Sequence, residues 1–376
     1  MLKIVFILPH GFRFIGWSVD EFLKIKYHFS KEYLRVIKEL GNEALLYSMH
    51  EKLKITIKYK DIKLFPVDFQ FPPFLNFGNE FSLKIIKDII LEKPDIIHVH
   101  NYYVWYYPFL LSQITNRKIP IVAQFHGDID PLSNLKLSML RNIYKKTSLF
   151  LVSFKYEANK LHKLISIEYD KIKLFTNVGV DLDFFKPQKK SVDPKILYVG
   201  RFPNKMGGKL QKKPLMVVKL FEIMRRKIPE LELIMVGEGN GMRKIKEYIT
   251  RKKLYKKVKF LGYIPRIDLP KIYSQAWLTI VPIYLPEMTI LWDGSLKESL
   301  ACKTPVVVFG DRFDWSNYGL LMLPYSNMEK FTNEVIKILY NQEEYFDLDY
   351  ARKLIENQCS WNFIGKSLIN FYKDIS

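Results

Sequence analysis

Two cysteines in 376 residues, Cys302 and Cys359, are too few for a disulfide framework, and the sequence reads as one from a reducing compartment. No window holds the roughly 18 consecutive apolar residues of a membrane span. The nearest, WLTIVPIYLPEMTILW, is interrupted by two prolines and Glu287. The apolar run in MLKIVFILPHGF is too short for a signal peptide and reads as a first strand. Short-period repeats and low-complexity tracts are also missing. Acidic residues are scarce beside basic ones, 39 against 59, for a formal charge of +20. Such an excess attracts nucleic acid, anionic membrane or phosphorylated ligands, although a lysine-rich solvated surface gives the same balance. No nucleic-acid motif accompanies it, so no nucleic-acid partner is expected.

What is present is a hydrophobic content of 48% in a chain long enough for two domains of similar size. KIVFIL (3–8), ALLYSM (44–49), DIIHVH (95–100), PIVAQFH (120–126) and SLFLVS (148–153) are short β-branched runs. Between them lie helical stretches such as FSKEYLRVIKEL (29–40), closed by Gly41. The polar stretch KPQKKSVDPK (186–195) reads as a linker. The alternation then restarts with strands at 195–199, 232–237, 257–262, 278–283 and 305–310 and helices at 214–227, 241–249 and 295–303. Repeated strand–helix units imply an α/β fold with mostly parallel sheets, in which ligands sit beyond the carboxyl ends of the strands.

Three groups of residues stand at such ends. In ILYVGRFPNKMGGKLQKKP, Arg201 follows a strand, and Lys213 precedes Pro214, which suits a first helical position. An Arg fork and a Lys point charge at a helix N-terminus suit a diphosphate, though two surface cations would look the same. In DGSLKESLACK, Asp293-Gly294 forms a turn, and the amides of Ser295 and Leu296 could cradle phosphate oxygens while Glu298 accepts from ribose hydroxyls. The competing reading is a capping box in which Glu298 returns to Ser295. In HVHNYY and AQFHGD, His98, His100, His126 and Asp128 meet at strand ends, but their spacing is not that of metal ligands and no metal is expected.

Taken in order, these segments resemble the GT-B glycosyltransferases, and among them the retaining family 4 enzymes. DIIHVHN, VAQFHGD, FTNVGVDLDFFKP, LYVGRF with Lys213, LIMVGEGNG and KESLACKTPVV match that family's motifs in sequence, and CSWNFIGKSLINFYKDI resembles its last helix. The resemblance implies two Rossmann-like domains facing a cleft: an acceptor-binding domain at 1–185, a donor domain at 186–357, and a helix at 358–376 returning to the first. It implies sugar transfer with retention from a nucleoside diphosphate sugar to a glycan or lipid-linked acceptor, with no metal or other cofactor.

By the same carry-over Arg201, Lys213 and His126 are catalytic. Glu298, Ser295, Leu296, Gly294 and Asp293 hold the donor, Tyr263 and Ile264 line its base, and Gly16 approaches it from the first domain. There are departures. The first acid of the family's Glu pair falls on Ile290, so that acid is missing or shifted to Glu287 or Asp293, with Asp293 favoured for its place beside the helix N-terminus. The usual paired glycines after the first strand are reduced to Gly11 and Gly16, and the helix-opening Gly and the Gly after Ala-Cys are Pro214 and Lys303. The aromatic stretches FPVDFQFPPFLNF and YYVWYYPF, with basic IKYHFSK, suit a lipid-linked acceptor or an anionic membrane surface. The expected location is the cytoplasm, with the inner membrane surface as a peripheral alternative. An epimerase on the same fold, an inactive transferase and a polyanion-binding protein are the rival readings.

Overall fold

The computed structural model describes residues 1–11, 17–70, 80–100, 119–126, 141, 144–203, 212–284, 291, 293–309, 319–323 and 327–376. The chain divides into two compact units, Met1–Asn177 with Trp361–Ser376, and Val178–Ser360.

The strands of the first unit are β1 (Lys3–Gly11), β2 (Glu43–His50), β3 (Ile57–Tyr59), β4 (Ile62–Pro66), β5 (Phe69–Gln70), β6 (Glu80–Phe81), β7 (Ile96–His100), β8 (Ile121–Gln124), β9 (Leu149–Val152) and β10 (Ile172–Leu174). Eight of them form one sheet in the order β10-β9-β8-β7-β1-β2-β4-β3, parallel except for the β3–β4 edge. β5 and β6 pair separately. All five residues of β7 are buried, as expected of a strand covered on both faces. Strand order reverses between β1 and β7, so the carboxyl ends of those two strands mark the crevice where an open α/β sheet binds ligands.

The second unit repeats the plan with β11 (Lys195–Val199), β12 (Glu232–Val236), β13 (Val258–Gly262), β14 (Leu278–Tyr284), β15 (Val306–Phe309) and β16 (Leu320–Leu323), all parallel, in the order β13-β12-β11-β14-β15-β16. Its reversal lies between β11 and β14. The helix Pro214–Lys227 follows β11, starts on its proline and ends in Arg225, Arg226 and Lys227, which complement the helix dipole. Val217, Val218, Leu220, Phe221 and Met224 bury its apolar stripe in the core of the unit.

The contact boundary falls at 177/178, eight residues before the polar stretch that reads as a linker. Backbone and side-chain bonds tie 178–185 to the second unit: Val180 N–H to the Cys359 carbonyl at 2.8 Å, and Arg352 Nη1 to the Phe185 carbonyl at 2.6 Å. Toward the end of the chain, the helix Leu348–Cys359 breaks at Ser360, and Trp361–Ile375 belongs to the first unit. There Gly365 lets that helix lie close to Phe29–Glu39, since a Cβ would stand 3.0 Å from Leu40 Cδ1 and 3.1 Å from Val36 Cβ. Lys303, which stands where the resemblance calls for glycine, takes a left-handed φ of 55° just past the helix Gly294–Ala301. The backbone requirement for glycine is thus kept there without the glycine.

Candidate active site

In the second unit the residues of interest gather at the carboxyl ends of β11, β12, β13 and β14. Arg201 is exposed and sits where the pairing of β11 with the β12 segment continues past Val199: Gly200 N–H bonds Val236 O at 3.0 Å and Phe202 N–H bonds Glu238 O at 2.9 Å. This extension is possible because glycines at alternate positions of the facing chain bring backbone against backbone. A Cβ on Gly237 would stand 2.1 Å from the Gly200 carbonyl oxygen, one on Gly239 2.3 Å from that of Phe202, and one on Gly241 2.1 Å from that of Pro203. The Tyr198 hydroxyl donates to the Arg201 carbonyl at 2.5 Å, fixing the backbone from its other side.

Across the reversal, the helix Gly294–Ala301 follows β14. Asp293 is its N-cap and accepts the Leu296 amide at 2.9 Å and the Ser295 hydroxyl at 2.6 Å. Lys212, with its ammonium 3.1 Å from Asp293 Oδ2, also donates to Ser295 Oγ at 2.6 Å and to the Val199 carbonyl at 3.0 Å. Its stem crosses Gly200, where a Cβ would come within 2.8 Å of Lys212 Cδ. Burial pushes the Asp293 carboxyl up, but Lys212, Ser295 and the Leu296 amide outweigh burial and hold it below the ordinary carboxylate range. Lys212 therefore ties the end of β11 to the start of this helix.

One turn on, Glu298 is nearly buried. Oε1 accepts from Arg266 Nε at 3.1 Å and pairs with Nη2 at 3.0 Å, while Oε2 accepts from the Tyr273 hydroxyl at 3.1 Å. Arg266 also donates to the Gly179 carbonyl at 3.2 Å and lies over the Phe185 ring, 5.5 Å from its centroid. Burial first, and then Glu298, push the Tyr273 phenol well up, so it remains a donor. The neighbouring Lys297 is fully buried, donates to the Val178 and Leu291 carbonyls at 2.6 and 3.1 Å, and is pushed down to about 8, mainly by burial. After β13, the Tyr263 amide donates to Glu238 Oε1 at 3.2 Å, and the Tyr263 side chain is 62% exposed.

In the first unit, His98 and His100 are both fully buried on β7. Gln124 on β8 donates through Nε2 to the Thr176 carbonyl at 3.2 Å, which fixes its amide so that Oε1 meets His98 Nε2 at 3.0 Å. His98 Nε2 must then carry the proton, and Nδ1 accepts from the Tyr372 hydroxyl at 2.6 Å. Burial drives His98 down to about 3, partly offset by Gln124. His100 Nδ1 lies 3.1 Å from His126 Nε2.

The match to known families now decides the matter. Residues 180–358 match the family described as Glycosyl transferases group 1, and residues 31–184 match Glycosyltransferase Family 4. The chain is a GT-B group 1 glycosyltransferase. It is 22% identical to an uncharacterized glycosyltransferase of Methanocaldococcus jannaschii over 75% of this chain and 76% of the relative. It is 26% identical to the poly(glycerol-phosphate) alpha-glucosyltransferase of Bacillus subtilis over 48% of this chain, a match that spans only 28% of that relative. Among solved structures, Anabaena HepE in complex with UDP and glucose matches with a TM-score of 0.69 at 14% identity, over 100% of both chains. A glycosyltransferase from Rickettsia africae matches with a TM-score of 0.73 at 19% identity, over 100% of this chain and 98% of that one.

In this glycosyltransferase the structure brings Ser295, Leu296 and Asp293 together at one helix N-terminus, with Gly294 opening the helix and Glu298 one turn in. The capping-box alternative is corrected: Asp293 caps the helix, and Glu298 turns instead to Arg266 and Tyr273. Lys213 is the N-cap of Pro214–Lys227, with its amide bonded to Pro282 O at 2.8 Å, whereas its neighbour Lys212 reaches Asp293 and Ser295. Ile264 stands half-buried beside Tyr263. Gly16, Asp128, Glu287, Ile290 and YYVWYYPF lie outside the described residues, as does 71–77 of the other aromatic stretch. A cavity of about 840 Å³ in the second unit, lined by Trp277, Tyr340 and Tyr345 among others, lies by residues that precede β14 and so away from the strand ends.

The neutral His98 gives the glycosyltransferase an acid-sensitive joint. The unfolded chain binds a proton at His98 as pH falls below 6.5, and the folded chain does so only near 3, so stability is complete above 6.5 and is lost progressively toward 3. The expected loss is about 1.4 kcal/mol per pH unit within that window. Urea titrations between pH 7 and 4 should show a steeper decline for the wild type than for His98→Asn. Equal slopes would remove the assignment.

Proposed function

We propose that this glycosyltransferase transfers a sugar from a nucleoside diphosphate sugar to a glycan or lipid-linked acceptor, with retention and without a divalent cation. The observation that carries the reading is the start of the Gly294–Ala301 helix at the reversal between β11 and β14, tied by Lys212 to the end of the strand that Arg201 follows, with Glu298 one turn further. A helix start beside cations suits a diphosphate, and the carboxylate one turn in suits ribose hydroxyls. The UDP and glucose held by HepE, a protein of similar fold, support the donor class.

In this reading the bond between the anomeric carbon and the diphosphate oxygen breaks, and its electron pair stays on the phosphate. Arg201 and Lys213 at the head of Pro214–Lys227 meet the charge that grows there, while Lys212 holds the start of the Gly294–Ala301 helix in place. The acceptor hydroxyl attacks from the face the phosphate leaves and passes its proton to a phosphate oxygen, which releases the nucleoside diphosphate. By the resemblance, His126 is the first unit's contact to the donor sugar. Asp293 gives up the Leu296 amide to phosphate and takes a sugar hydroxyl in exchange. The base lies along Tyr263 and Ile264. The first unit binds the acceptor, and its basic and aromatic segments suit a peripheral site on an anionic membrane.

Thermal unfolding with UDP, GDP, ADP and TDP in the absence of metal tests the donor site. One of them should raise Tm in the wild type and not in Arg201→Ala or Glu298→Ala. The same shift in all three proteins would remove these residues from the site, and no shift with any nucleotide would sink the donor reading.

A further inference from the structure

His100 is buried at the carboxyl end of β7, beside the strand reversal of the first unit, and its ring is walled by apolar and neutral groups. Phe6 stacks on it at 5.9 Å between centroids, Phe29 meets it edge-on at 5.7 Å and Tyr33 at 4.7 Å, and His98 lies 4.8 Å away. Burial and the neighbouring His98, His126 and His28 keep it neutral. A neutral ring has one N–H. Among the described residues Nε2 is buried with no hydrogen-bond partner, while Nδ1 is 3.1 Å from His126 Nε2. A buried N–H without an acceptor is among the rarest features of folded proteins, whereas a bare ring lone pair is tolerated more readily. The proton therefore belongs on Nδ1, where it has a partner.

We propose that His100 is a positioning residue for His126, donating its Nδ1–H to His126 Nε2 and so fixing His126 as the neutral tautomer with its proton on Nδ1. Protonating His126 at Nε2 would place two N–H groups face to face, or force the His100 proton onto the buried Nε2. Both are unfavourable, so His126 acts as a fixed hydrogen-bond donor toward an accepting oxygen and not as a base through Nε2. The remaining titratable neighbours reinforce this: His98 is neutral with its proton on Nε2, Tyr33 keeps its phenol protonated through burial, and His28 is engaged at Nδ1 by Ser30 at 2.7 Å. The inference rests on the reading of His126 as the group facing the donor sugar.

The test is two-bond nitrogen–proton correlation spectroscopy on the full chain with labelled histidine, from pH 8 to pH 6, with His126 assigned through His126→Gln. The expected spectrum shows His126 protonated at Nδ1 only, across the whole range. His100→Asn, whose amide nitrogen takes the place of Nδ1, should preserve that signature, and His100→Phe should lose it while thermal unfolding confirms a folded chain. A His126 proton on Nε2, protonation of His126 between pH 8 and 6, or an unchanged signature in folded His100→Phe would each overturn the proposal. If His100→Phe does not fold, the wild-type tautomer decides alone. The spectrum needs no nucleotide, so a failed donor reading and a failed tautomer appear in separate experiments.

Discussion

Gly237→Ala is expected to destabilise the second unit by about 3 kcal/mol and to eliminate nucleoside diphosphate binding, although position 237 carries no side chain able to touch a ligand. Its φ of 118° already disfavours any L side chain, and the added Cβ would fall 2.1 Å from the Gly200 carbonyl oxygen. Neither backbone can give way cheaply. Gly200 N–H is bonded to Val236 O at 3.0 Å, and Gly237 N–H to Gly262 O at 2.7 Å, so relief means breaking the ladder that carries Arg201. Gly262→Ala is the control. Its φ is 67°, but its Cβ would meet nothing nearer than Glu238 Oε1 at 3.6 Å, so it should cost only about 1 kcal/mol of backbone strain. Thermal unfolding with and without nucleotide separates the two variants. A native Tm in Gly237→Ala would show that the seam between Gly200 and Gly237 does not hold Arg201 in place.

Arg266→Ala should cost about 3 kcal/mol, because among the described residues it leaves the nearly buried Glu298 carboxylate with only the Tyr273 hydroxyl to meet it. The pair is not fully enclosed, with side chains 21% and 11% exposed, so the loss falls at the lower end of the range for a broken buried pair. Arg266→Lys should restore part of the stability but not the fork, which joins Glu298 Oε1 through two nitrogens and also reaches the Gly179 carbonyl. If Glu298 receives ribose hydroxyls, nucleotide affinity falls about tenfold or more in Arg266→Ala as the carboxylate swings free. Calorimetry with the nucleotide found by thermal unfolding reads this directly. An affinity equal to wild type would mean that the orientation of Glu298 does not matter to the donor.

Local patterns made much of the second unit legible. The strand Lys195–Val199 and the helix Pro214–Lys227 lie where β-branched alternation and a proline at the first helical position put them. Asp293-Gly294 is readable as a turn before a helix because an aspartate there can take the amide three residues on. Other features have no local signature. Lys212 and Lys213 are the same residue type side by side, and only the path of one stem over Gly200 separates their roles. Arg266 meets a carboxylate 32 positions away, and His98 finds Tyr372 at a separation of 274. The capping-box pattern was ambiguous for a physical reason: a glutamate three residues into a helix can turn back to the cap or outward to a tertiary partner, and here Arg266 and Tyr273 claim it. The domain boundary is hard to see because 178–185 carries bonding groups that a polar composition does not reveal.

The membership of Trp361–Ser376 in the first unit bears on how the protein is made. A ribosome delivers Met1–Asn177 before Trp361–Ser376, so for a time that body lacks the Tyr372 hydroxyl that donates to His98 and the Gly365 backbone that packs against Val36 and Leu40. Val178–Ser360, contiguous in the chain, can finish folding while its predecessor is still waiting. The unit whose strands emerge earlier is thus the one that completes later. During that interval the face of Phe29–Glu39 destined for the final helix stays open to water, and to any chaperone that recognises apolar surface.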